Sequence, residues 1–254
     1  MSELAALAAG TQPRESRISI GRLVGVPAVI VAAYALVGWE LLQRPLNVRE
    51  VTVLNFHDIS RAFGQHLLLT FTALTIALVI ALPLGVLLSR SAGIVRAAVF
   101  TFANLSQAIP SVALLGLAYV FLGSGPKPAI FALSAFSVLP ILRNTVVGLT
   151  SIDPAVTEAA RGMGMSPLQG LFTVELPLAL PVIFAGVRTA VVLNISSATL
   201  ATFIGGGGLG DILDAGINSN LGRVTLVGAV LVSSLAMFVD WVASLIEAEL
   251  ETRT

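Results

Sequence analysis

Few residues in this 254-residue chain have the types and spacing that chemistry needs. It has no cysteine, which rules out disulfides and thiolate metal sites. Its two histidines, His57 and His66, have no second ligand at metal spacing, so both are expected at a membrane interface and no metal site is expected. The run Gly205-Gly-Gly-Gly-Leu-Gly-Asp211 has the glycine density of a phosphate loop. It follows an apolar stretch instead of a strand, however, and no Lys-Ser/Thr comes after it. Gly205, Gly206, Gly207 and Gly208 are instead expected to form a flexible hinge at an outer gate. What remains is a pair of charges inside apolar stretches, Arg188 and Asp240, and one polar interruption, Asp153 to Pro177.

The interruption contains two helix starts in succession. Asp153 precedes Pro154, and Ser166 precedes Pro167 with Gln169 at capping-box spacing. Gly162 and Gly164 should end the first helix, and Pro177 the second. Val156, Ala159, Ala160 and Met163 share one stripe, and Leu168, Leu171 and Phe172 make the apolar side of the second helix. Helix physics alone leaves two readings open: a loop lying on a membrane surface, or a docking surface for a partner.

The elements around these residues are hydrocarbon-like. Apolar residues make up 56% of the chain and charged residues 11%, against about 25% charged in a soluble domain, and the mean hydropathy is +0.94. The fold class is therefore an all-α membrane protein. With about 20 apolar residues per crossing, about six transmembrane helices are expected, over 23–42, 67–88, 97–123, 128–149, 178–204 and 224–246. Residues 1–22 are expected to be a mobile cytoplasmic tail, and 23–254 a single transmembrane domain carrying the segment 153–177. The first span lacks a small-residue cleavage site and is not expected to be a signal peptide. Lys and Arg near the span ends favour cytoplasmic N- and C-termini, with the loop 43–65 as the dissenter because it carries three arginines on the outer side. Zero net charge leaves no nucleic-acid footprint.

Within the spans, Asn104, Gln107 and Pro110 cluster in the third, which predicts a bent helix lining a path. Asn194 and Ser197 in the fifth could line the same path or simply let helices approach closely. Arg188 lies roughly 10 Å and Asp240 roughly 9 Å from the cytoplasmic ends of consecutive antiparallel helices, at 1.5 Å per residue. Facing each other is one expectation for these two charges. The others are that each snorkels separately, or that Arg188 meets free carbonyls near the polar interruption.

The spacing Glu158-Ala159-Ala160, three residues, Gly164, nine residues, Val174, one residue, Leu176-Pro177 resembles the EAA motif of bacterial ABC importer permeases. Further blocks, Ser106 to Gly116, Leu139 to Thr145, Gly186 to Ala190 and Phe203 to Asp211, resemble the osmoprotectant branch of that family. The resemblance implies a type I ABC importer permease fold in the bacterial cytoplasmic membrane, with glycine betaine, carnitine, choline or proline betaine as cargo. It implies that Glu158, Ala159, Ala160, Met163 and Gly164 couple the chain to a separate ATP-binding subunit. That subunit would hold ATP and Mg, leaving this chain without cofactor or enzymatic activity. It also implies an extracytoplasmic substrate-binding protein and a second permease subunit, identical or paralogous. The alternatives are the same architecture for an amino acid, or a secondary transporter, for which Asp240 is the one intramembrane acidic residue.

Overall fold

The computed structural model describes residues 20–107 and 109–253. Residues 1–19 of the expected tail lie outside the described residues, and 20–22 already belong to the first helix. All the described regular structure is helical. In chain order the helices are α1 (Ile20–Gln43), α2 (Val48–Val53), α3 (Phe56–Ser89), α4 (Gly93–Gln107), α5 (Ser111–Leu122), α6 (Pro126–Thr150), α7 (Pro154–Gly162) and α8 (Pro167–Gly170). A π-helical turn (Leu171–Glu175) leads into α9 (Leu176–Ala198), a 3₁₀ segment (Thr199–Ile204), α10 (Gly210–Asn218) and α11 (Gly222–Arg253).

Among the described residues, five helices are long and apolar enough to cross a membrane: Leu23–Gln43, Phe56–Ser89, Pro126–Thr150, Pro167–Ile204 and Gly222–Leu250. The expected third span is instead two helices, α4 and α5, of 15 and 12 residues. Pro110 explains the break: at φ −55°, ψ 137° it is extended, and it stands as the N-cap of α5 with no N–H to continue a ladder. The second expected span also starts earlier than its apolar run. Asn55 caps α3 by accepting from the Asp58 N–H at 2.9 Å, which adds polar turns ahead of Leu67.

α6 is the central helix, packed between α3 and α9. The contacts are made by small residues, because in a membrane helices associate by close backbone approach and not by expelling water. Ala73, Ala77 and Ala81 of α3 are fully buried at four-residue spacing. A Cβ on Gly186 of α9 would lie 2.6 Å from the Asn144 Cβ and 2.8 Å from the Pro140 carbonyl oxygen of α6. Ile141, Ala190, Val191 and Ile195 complete this core. Outward-facing Leu, Val, Ile and Phe side chains on α1, α3, α5 and α11 form an apolar belt suited to lipid.

The loop 43–65 is ordered by α2, whose Asn47 and Glu50 form a capping box. A polar knot ties this loop to the start of α11. Arg223 at the start of α11 donates to the carbonyls of Arg44 and Pro45 at 2.8 and 3.2 Å and meets the buried Glu50 carboxylate at 3.2 Å.

Candidate coupling segment and polar sites

At one end of the bundle, α7 and α8 build the polar interruption. Asp153 accepts from the Ala155 N–H at 2.9 Å. At its far end α7 closes with paired bonds, Gly164 N–H to Arg161 carbonyl at 2.9 Å and Met165 N–H to Ala160 carbonyl at 3.2 Å. Gly164 has φ +84°, the left-handed conformation this closure needs. Ser166 and Gln169 cap α8 reciprocally. Pro177 does not end the second helix as expected. The backbone widens to a π turn, with Leu176 N–H on the Leu171 carbonyl, and so reaches the proline with its ladder already shifted. From Pro167 to Ile204 the chain is one continuous 38-residue helical rod.

The segment is tied to the bundle at two points. Leu171 is buried with Leu149, Ala179 and Ile183, and the Arg90 guanidinium at the end of α3 meets Glu175 at 2.7 Å. Val156, Glu158, Ala159, Met163, Leu168 and Phe172 are exposed. Ala160 is not: at 4% exposure it faces this chain, so it is no part of an outward close-contact surface. α7 is short, and its fourth-residue stripe turns one member inward against α8.

The intramembrane charges are together. Arg188 donates from Nε and Nη2 to the two oxygens of Asp240 at 2.7 and 2.9 Å, and from Nη1 to Glu247 at 2.7 Å. Sequence reasoning missed Glu247. The signal was its seven-residue spacing from Asp240, which puts both on one face of α11. The cluster carries net charge −1 and lines a cavity of about 360 Å³ with Thr189 and Leu193.

The polar residues expected on a path do not form one surface within this chain. Asn104 is exposed on α4, while Gln107 lies on the same helix with its side chain outside the described residues. Pro110 sits at the α4–α5 break, and Ser197 lines a small cleft with Ser111 and Phe136. Asn194 is fully buried, and among the described residues its side-chain amide has no hydrogen-bond partner.

At the opposite end lies the glycine run. It is a folded turn, with Gly205, Gly207 and Gly208 at positive φ, and a Cβ on Gly206 would sit 2.8 Å from the Ala201 Cβ. His66 pins this turn to α9. The Leu209 N–H donates to its Nδ1 at 3.3 Å, so Nε2 carries the proton and donates to the Ile195 carbonyl at 3.0 Å. That carbonyl loses its helical donor where Thr199 turns its N–H to Ser197 and the 3₁₀ segment begins. His66 is thus buried between helices at this end of the bundle. Among the described residues no three His, Cys, Asp or Glu are grouped to hold a metal.

A family model described as "Binding-protein-dependent transport system inner membrane component" matches residues 81–252. The glycine betaine/carnitine/choline transport system permease protein OpuCB of Bacillus subtilis (strain 168) is 43% identical over 187 residues, which is 72% of this chain and 84% of that protein. The choline transport system permease protein OpuBB of the same organism is 42% identical over 189 residues, 73% of this chain and 85% of that protein. Among solved structures, a chain of the MetNI methionine ABC transporter superposes with a TM-score of 0.64 at 26% identity, over 76% of this chain and 95% of that one.

Proposed function

This chain belongs to the family of binding-protein-dependent transport system inner membrane components, and from that premise we propose that it is the permease subunit of an ATP-driven importer of quaternary-amine osmoprotectants. The single observation that carries the cargo is the 43% identity across 84% of a glycine betaine/carnitine/choline permease. The methionine transporter shares the architecture at 26% identity, so an amino-acid cargo is the second reading.

In this reading α7, α8 and the π turn receive the ATP-binding subunit, which holds ATP and Mg. The exposed ridge of Val156, Met163, Leu168 and Phe172 supplies its apolar contact, with Glu158 and Ala159 beside it. The broken pair α4–α5 counts as one crossing. Six crossings then place both termini and the coupling segment in the cytoplasm, and the glycine turn outside, where a substrate-binding protein delivers cargo. A second permease subunit completes the path that one chain leaves open. When the ATPases close, they push on α7 and α8. Leu171 and the Arg90–Glu175 pair pass that push to α9, α6 and α3, whose rocking alternates access.

The test is reconstitution of the permease with its ATPase and binding protein in proteoliposomes. ATP-dependent uptake of labelled choline or glycine betaine, with none of methionine, is expected. Uptake of methionine alone overturns the cargo, and uptake unaffected by omitting ATP overturns the importer class.

A further inference from the structure

At the end opposite the coupling segment, a cavity of about 550 Å³ opens between the first turns of α3, Pro126 at the start of α6, and the glycine turn before α10. That is the size of a small-molecule site. Its polar groups come from three directions, Thr52 on α2 being the first. Asp58, Arg61 and Gln65 line it from α3 at three- and four-residue spacing, so they share one helix face. Asp211 lines it from α10.

The glycine turn keeps the middle of this cavity empty. A Cβ on Gly207 would lie 2.9 Å from Gln65 Oε1 and 3.8 Å from Asp211 Oδ2. At φ +79° that position strongly favours glycine. Asp211 is held in place through Oδ1, which accepts from the Thr202 hydroxyl at 2.5 Å, and its Oδ2 faces the space over Gly207. Arg61 differs from Arg90, Arg188 and Arg223, each of which is engaged by a carboxylate. Among the described residues no carboxylate clasps its guanidinium: its charge is felt by Asp58, on the same helix face, whose oxygens are already engaged by Asn55 and His57.

We propose that this cavity is a receiving site for a zwitterion, with the cargo's carboxylate on the Arg61 guanidinium and its quaternary ammonium beside Asp211 and Asp58. The proposal rests on the osmoprotectant reading above. The two ends of such a molecule need different partners. A quaternary nitrogen has no N–H, so it is held by opposite charge alone, and acceptor-only carboxylates suit it. A carboxylate is held best by the planar fork of an arginine. Choline has the cation but no carboxylate, so the site should treat choline and glycine betaine differently when Arg61 is changed.

The experiment measures uptake of labelled glycine betaine and choline by the reconstituted complex, together with the affinity of the binding protein for it. Arg61→Gln should raise the half-saturating concentration of glycine betaine about tenfold relative to choline, the size expected for loss of a charged hydrogen bond. Arg61→Lys should recover part of it, and Asp211→Asn should weaken both cargoes. An unchanged cargo ratio in Arg61→Gln overturns the site. So does a loss explained wholly by weaker docking of the binding protein, which would make this rim a protein contact. A wild-type complex that moves choline but not glycine betaine also overturns it while leaving the osmoprotectant reading standing. A complex that moves neither defeats that reading itself.

Discussion

Arg188 sits in its cluster with two carboxylates, and this sets an order of damage. Arg188→Met leaves Asp240 and Glu247 facing each other without a cation, so it should cost most, about 2 kcal/mol once partial exposure is allowed for. Asp240→Leu leaves the Arg188–Glu247 bond and should cost less. The Arg188→Met/Asp240→Leu double variant should recover part of the loss, and adding Glu247→Gln should recover more, as read by the melting temperature of the purified complex. Strictly additive losses would mean the three groups act independently. A second residue-scale prediction follows from the inward face of α7. Ala160→Trp should overpack the segment itself, by about 1–3 kcal/mol, and lower the yield of folded permease. Phe172→Ala and Met163→Ala, at 66% and 70% exposure, should leave the fold intact and weaken stimulation of the ATPase by loaded binding protein.

Among the elements, α6 and α9 are closest where Gly186 meets Asn144 and Pro140. Gly186→Ala must part the two helices, at a cost of about 1–3 kcal/mol. Gly64→Ala in α3 meets open space and should be neutral or stabilising by about 0.5–1 kcal/mol from helix propensity. Thermal unfolding of the two variants in one detergent checks the contrast. The caps of α7 and α8 were legible because Asp153, Ser166, Gln169 and Gly164 act on backbone within a turn of themselves. The long spans were legible because each needs a long apolar run. What failed depended on distant partners or on backbone context. Pro177 reads as a stop unless the π turn before it is known. The glycine run gives no sign in the sequence of the bond from Leu209 to His66, 143 residues away. α10 was missed altogether, since a nine-residue helix between spans has too few apolar positions to declare itself. Its close fit is visible only in space, where a Cβ on Gly216 would lie 2.5 Å from the Thr225 nitrogen.

At the scale of the whole molecule, the rod from Pro167 to Ile204 runs about 57 Å at 1.5 Å per residue. It joins the end that carries α7 and α8 to the glycine turn without a chain break. Its one widened turn, Leu171–Glu175, is where bending should concentrate. Spin labels at 168 and 180 should therefore change separation between nucleotide-free and ATP-trapped complex, while labels at 184 and 196 should not. The break at Pro110 bears on a different matter, the birth of the molecule. α5 is 12 residues, or about 18 Å, and cannot cross about 30 Å of hydrocarbon alone. As the chain leaves the ribosome, α4 and α5 must wait for α6 before their crossing is secured. Until then the sidedness of everything downstream is open, and the arginines at 143 and 161 help to decide it. A compartment-sensitive reporter fused after Ser124 should give a mixed population, and one fused after Ser151 a single cytoplasmic one. A uniform signal at both would mean that the short pair inserts without help.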